Sequence, residues 1–212
     1  MRPLPPSSSA LAGAATLLRA VAGADVWRID LDAEVEGAAS LLDEAERVRA
    51  ARFVFERDRR RFVTGRAALR TVLAACAGVS AAGLSFHHGP HGKPSLPGGP
   101  PFSFSHSQGC GLLAVGGGRE LGVDVERIRT VPEAAEIARS VFDAAEQAAW
   151  AAAGGDAGAG FLRLWTRKEA ALKAMGVGLG GLDGGIDPRR TVEVLDLELD
   201  ADHVAALAWL RG

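Results

Sequence analysis

Hydrophobic positions along the chain follow two periods, and the switches between them predict its elements. Short apolar runs bounded by Gly or polar residues predict strands at Val26–Leu31, Phe102–Ser105, Gly111–Val115, Leu121–Glu126, Thr191–Leu199 and His203–Leu210. Apolar residues three and four apart, in stretches rich in Ala and Leu, predict helices from about Glu36 to Ala51 and from about Arg57 to Ala77. The same spacing predicts Pro132–Val141, Asp143–Ala152 and Phe161–Met175. Gly and Pro punctuate the connections at 88–101, 151–160 and Gly176–Gly185. Ahead of all this, Pro3, Pro5, Pro6 and a serine run predict a flexible tail over 1–24, its last part a weak helix from residue 10 onward. Arg19 interrupts that stretch, so it reads as a tail and not as a signal peptide. No apolar run reaches the length that spans a membrane.

The two halves of this pattern resemble each other. Asp43-Glu44-Ala45-Glu46 has a counterpart in Asp143-Ala144-Ala145-Glu146, and Arg66-Ala67-Ala68-Leu69-Arg70 lies over Glu169-Ala170-Ala171-Leu172-Lys173. An internal repeat of about a hundred residues predicts an α+β fold of two pseudo-symmetric lobes packed together, with a site in the cleft between them. The expected division is 25–118 for the first lobe and 119–212 for the second.

Composition adds less. At 212 residues, 48% hydrophobic and 24% charged, the chain is ordinary globular protein. A net charge of −2 excludes a globally basic nucleic-acid binder, but nine arginines crowd the segment from Arg47 to Arg70. Such a strip is a solvated helix face unless other groups turn it into an anion site. Cys76 and Cys110 are too few for a disulfide framework or a zinc site, which makes a reducing cytoplasm the expected compartment. His87, His88 and His91 flank Gly89 and Pro90 without regular ligand spacing and read as loop residues.

The candidate chemistry is a split constellation. In Gly122-Val123-Asp124-Val125-Glu126 a strand would turn both carboxylates to one face. In Trp165-Thr166-Arg167-Lys168-Glu169-Ala170-Ala171-Leu172-Lys173 a helix would stack Trp165, Glu169 and Lys173 along one side. Three carboxylates brought together call for a cation, and a neighbouring lysine suits a phosphate. Against 21 Arg the chain has only three Lys, at 93, 168 and 173. The two are not equivalent at a phosphate, since Lys is a compact charge and Arg a planar fork. Taken alone, Asp-x-Glu at a strand end also fits an exposed turn edge, and His106 fits a core histidine.

Four motifs in order carry a family resemblance: Gly92-Lys93-Pro94, Phe102-Ser103-Phe104-Ser105-His106-Ser107, the Asp124/Glu126 strand and the Trp165–Lys173 helix. With them the chain resembles the 4′-phosphopantetheinyl transferases of the long, single-chain, two-lobed type, over about Val26 to Leu210. The resemblance implies a cytoplasmic, monomeric enzyme that moves the phosphopantetheine arm of coenzyme A to a serine of an apo acyl or peptidyl carrier protein. Adenosine 3′,5′-bisphosphate would leave, and Mg²⁺, with Mn²⁺ as an alternative, would assist. Asp124, Glu126 and Glu169 match the family's metal ligands, Glu169 is also the candidate base, and Lys173 would sit on the pyrophosphate. By the same resemblance Ser105 and His106 fall where phosphates are contacted and Lys93 and Pro94 near the adenine. Arg61 falls near the 3′-phosphate, Arg66 at a variable position, and Arg47 and Arg49 near the entrance. The long type often serves secondary-metabolite synthases. A silent module that only binds coenzyme A, and a metal-dependent phosphohydrolase, are the alternatives; neither nucleic acid nor membrane is expected as a partner.

Overall fold

The computed structural model describes residues 13–21, 23–178 and 191–212. The chain divides into two units, Met1–Gly118 and Arg119–Gly212.

In the first unit, β1 (Ala15–Val21) and β2 (Ala24–Asp30) form an antiparallel pair. The residues from Ala15 therefore belong to a strand, not to the expected tail and weak helix. Two structural reasons stand out. Leu17 packs against the core that Trp27 and Ile29 build, and the backbone of β1 is satisfied by the ladder to β2. Helix α1 (Glu44–Ala50) starts at a capping box, in which Asp43 accepts from the Glu46 N–H at 2.9 Å and Glu46 accepts from the Asp43 N–H at 3.1 Å. The single helix expected over 36–51 is thus split, because Asp43 caps a new start after a 3₁₀ turn at Ala38–Leu41. Helix α2 (Glu56–Ala77) ends on Gly78, whose φ of 69° gives the left-handed cap.

The Gly- and Pro-rich loop contains a two-residue ladder of β3 (His87–His88) with β4 (Pro94–Ser95). Strands β5 (Phe102–Ser107) and β6 (Cys110–Gly116) then form a hairpin through Gln108-Gly109. The four-stranded sheet runs β1-β2-β6-β5, antiparallel throughout. Helix α2 lays Ala68, Leu69, Val72 and Leu73 on Trp27, Ile29, Phe102 and Leu113 in one core.

In the second unit, β7 (Leu121–Arg127) precedes α3 (Ala134–Val141), α4 (Ala144–Ala152) and α5 (Ala159–Met175). Strands β8 (Val192–Leu197) and β9 (His203–Leu210) complete an antiparallel sheet of order β7-β9-β8. Helix α4 has its own capping box, Asp143 with Glu146. The two units share one topology. Strand, capped short helix, long helix and hairpin recur, and β2-β6-β5 matches β7-β9-β8 in order.

Gly122 determines how closely α5 approaches β7. A methyl group there would stand 2.1 Å from the Ala170 carbonyl oxygen and 2.5 Å from the Ala174 nitrogen, both backbone atoms. The strand and the helix backbone touch directly, which a side chain would prevent. We expect Gly122→Ala to cost at least about 2 kcal/mol, the scale of overpacking in a core. A lower denaturant midpoint with an unchanged slope would report it; a midpoint equal to wild type would show that the contact can yield.

Candidate functional site

The second unit gathers four of the expected residues. Asp124 and Glu126 share one face of β7, opposite Ala206 and Val204 of β9. Glu169 and Lys173 stand one helical turn apart on α5. Lys173 Nζ donates to Asp124 Oδ1 at 2.6 Å and lies 3.4 Å from the Val123 carbonyl oxygen. Asp124 is only 5% exposed, whereas the Lys173 side chain keeps 30% of its surface in solvent, so the pair is buried from the strand side.

Burial pushes the Glu169 carboxyl above its ordinary value; Lys173 pulls it back, and Asp124 and Glu126 push it up again. All three carboxylates and the lysine therefore lie within one electrostatic neighbourhood. Among the described residues, no three Asp, Glu, His or Cys side chains are gathered closely enough to hold a metal as they stand. The donor set nonetheless fits a hard divalent cation, being carboxylate oxygens alone, and the mutual repulsion felt by Glu169 is what such an ion relieves.

Two other residues of the α5 motif are structural. Lys168 is 4% exposed and pairs with Glu146 at 2.8 Å, so it is unlike a phosphate-binding lysine. Trp165 stacks on Phe161, 6.2 Å between centroids, and belongs to the core under α3 and α5.

The first unit holds a cavity of about 560 Å³. Arg49, Arg61, Arg66, Phe104, His106 and Gln108 are among its lining residues, so three of the residues expected near coenzyme A meet there. Gly65 permits this packing, since a methyl on it would stand 3.2 Å from the Phe104 ring. The remaining candidates lie elsewhere. Ser105 is buried and alternates with Phe104 and His106 onto the other face of β5. Lys93 ends the β3–β4 turn, where its carbonyl accepts from the Gly89 N–H at 2.9 Å, Pro94 opens β4 opposite His88, and neither lines the cavity. Arg47 donates to Glu44 at 2.9 Å and to the Leu42 carbonyl, which makes it a helix-end contact.

Two of the lining arginines, Arg61 and Arg66, are already held by carboxylates, while Arg49 lies over the Phe62 ring at 5.1 Å. Arg61 forms a bidentate pair with Asp32, both bonds 2.7 Å, and those bonds hold the Asp32 carboxyl below its ordinary value. Arg66 bonds to Glu46 and stacks over Phe86 at 5.0 Å. Glu46 also takes Arg70 Nε at 2.6 Å. Arg70 is fully buried and donates as well to Asp43 and to the Ala81 and Leu84 carbonyls at 2.9 and 3.0 Å. Asp32, Gln108 and the Arg70 network were not singled out in the sequence. Asp32 is 29 residues from its arginine, and no local pattern announces such a pair.

Comparison with known proteins identifies the family. The 4′-phosphopantetheinyl transferase superfamily matches residues 120–211, and the N-terminal region of 4′-phosphopantetheinyl transferases matches residues 27–115. The 4′-phosphopantetheinyl transferase HetI of Nostoc sp. is 35% identical over 178 residues, covering 74% of this chain and 70% of that protein. A Synechocystis sp. relative is 33% identical over 162 residues, covering 74% and 66%, and a Bacillus subtilis 4′-phosphopantetheinyl transferase is 31% identical over 137 residues, covering 63% and 60%. A two-unit α+β chain with this matched pair of regions belongs to the 4′-phosphopantetheinyl transferases, in their long, single-chain form. Among the described residues no helix is long and apolar enough to cross a membrane.

The raised Glu169 carboxyl has a stability consequence whose sign is fixed. Folding makes its protonated form easier to keep, so between its ordinary value of 4.5 and its raised value the folded chain binds more protons than the unfolded one. Its contribution to stability is therefore favourable at the low end of that window and is lost as pH rises through it. In chelator-treated protein, Glu169→Gln should melt above wild type near neutral pH, and the advantage should vanish below about 4.5. A melting temperature below wild type at neutral pH would contradict the repulsion inferred here.

Proposed function

We propose that this chain transfers the 4′-phosphopantetheine arm of coenzyme A to a serine hydroxyl of an apo acyl or peptidyl carrier protein. The observation that carries the reading is the corner of the second unit where Lys173 lies 2.6 Å from Asp124, with Glu169 in the same field. In this reading the serine oxygen forms a bond to the pantetheine-side phosphorus. The pyrophosphate P–O bond breaks, and adenosine 3′,5′-bisphosphate leaves with the electron pair.

Glu169 takes the serine proton. Its partial burial, the largest cause of its raised carboxyl, favours the proton-accepting role. Lys173 shifts from Asp124 toward the pyrophosphate and stabilises the charge that grows there. Asp124, Glu126 and Glu169 would hold Mg²⁺ or Mn²⁺, which supplies charge neutralisation on the phosphates when bound. The cavity of the first unit takes the nucleotide end of coenzyme A, with Arg61 toward the 3′-phosphate and Arg49, Arg66 and His106 around it. Phe104 offers an apolar wall to the same nucleotide.

Intact-mass measurement of an apo carrier protein after incubation with the chain, coenzyme A and Mg²⁺ tests the reaction. The expected result is a mass gain of one phosphopantetheine arm, lost with a chelator. Phosphate release without a carrier would favour hydrolysis, and coenzyme A binding with no transfer to any carrier type would favour a silent module. Glu169→Gln should abolish the gain while the far-ultraviolet circular dichroism stays that of wild type. Asp124→Ala should lose metal-dependent turnover by more than it loses coenzyme A affinity. Equal losses of both would speak against a metal role for Asp124.

A further inference from the structure

The cavity of the first unit contains an arginine whose orientation is fixed from outside it. Arg61 of α2 lines the cavity, and its Nε and Nη2 both bond to Asp32, a residue just beyond β2 that is not among the lining residues. Asp32 is itself held in place. Its N–H donates to Asp30 Oδ1 at 3.0 Å, and the preceding Leu31 N–H donates to the Gly109 carbonyl at 2.8 Å. The β5–β6 turn closes over the pair so tightly that a methyl on Gly109 would stand 2.3 Å from Asp32 Oδ2. The same turn contributes Gln108 to the cavity, at a φ of 52°. Strand end, helix and hairpin turn thus converge on one guanidinium.

The bidentate pair uses the Nε–Nη2 edge of the fork and leaves the Nη1 corner unengaged by Asp32. A carboxylate beside an arginine can act on an anion site in two opposite ways. It can cancel the positive charge and weaken binding, or it can hold a flexible side chain in its binding conformation and strengthen it. The side chains of Arg61 and Asp32 are 20% and 42% exposed, so solvent screens the cancellation, whereas the two-point geometry of the pair still restricts the guanidinium.

We propose that Asp32 is a positioning residue for an anion site at Arg61, aligning the guanidinium for a phosphate monoester on the ribose of the bound nucleotide. This rests on the reading of the cavity as the seat of the coenzyme A nucleotide. Asp32 touches no substrate and acts through Arg61. The site's preference for a nucleotide carrying that extra phosphate then depends on a residue that the ligand never meets.

Titration calorimetry of the full chain with adenosine 3′,5′-bisphosphate and with adenosine 5′-monophosphate tests this. Wild type should prefer the bisphosphate. Asp32→Asn, which keeps the side-chain volume and breaks one of the two bonds, should weaken bisphosphate binding roughly tenfold while leaving the monophosphate nearly unchanged. Asp32→Ala should lose at least as much. In an Arg61→Gln background Asp32→Asn should have no further effect, because the two act as a unit. Tighter or unchanged bisphosphate binding in Asp32→Asn would overturn the proposal, as would additive losses in the double variant or an equal loss for both nucleotides. Failure of wild type to bind either nucleotide would remove the reading of the cavity itself, a different outcome from binding that ignores Asp32.

Discussion

The site in the second unit depends on a missing side chain. Gly122 lets the backbone of α5 rest against β7, and at that separation Lys173 meets Asp124. The consequence is electrostatic. Carboxylates from a strand and a carboxylate from a helix come to share one partly buried volume, where Asp124 and Glu126 raise the cost of ionising Glu169 and a cation is worth more than it would be in water. Charged side chains placed on a helix and a strand that meet backbone to backbone have little freedom to drift, which is the condition for holding charge in a fixed place.

The repeat shows how differently one topology can be used. Counted from the first residue of each strand, Asp124 and Glu126 of β7 fall where β2 carries Trp27 and Ile29. Those two lie in the core beneath α2. Likewise the long-helix positions that hold Glu169 and Lys173 in one unit hold Arg66 and Arg70 in the other. One unit closes the gap between strand and helix with hydrophobic packing and a buried arginine network. The other leaves carboxylates there. The carboxylate corner is therefore confined to one half of a duplicated frame, and the arginine-lined cavity to the other.

Much of this was legible in the sequence, for physical reasons that also explain the gaps. Asp124, Glu126, Glu169 and Lys173 belong to elements whose period alone sets which side chains share a face, so their grouping follows once strand and helix are recognised. Ser105 and His106 show the same rule working the other way. They are adjacent in a strand, so the fold sends them to opposite faces, and only His106 reaches the cavity. The strand β1 was missed because an Ala- and Leu-rich segment has no period of its own; pairing with β2 decides its conformation. Asp32 and Arg61 lie in different elements, and only the tertiary fold joins them.

The capping boxes lead to one further consequence. In each unit the glutamate that closes the start of a short helix also neutralises a buried cation of the long helix, Glu46 with Arg70 and Glu146 with Lys168. A helix end normally frays at almost no cost. Here, unwinding the first turn of α1 or α4 would strand a positive charge inside the protein. The first turns of α1 and α4 are thereby joined to the cooperative unit of the helices behind them. Their amide hydrogens should be exchanged with solvent mainly through larger openings of the unit and not through local breathing.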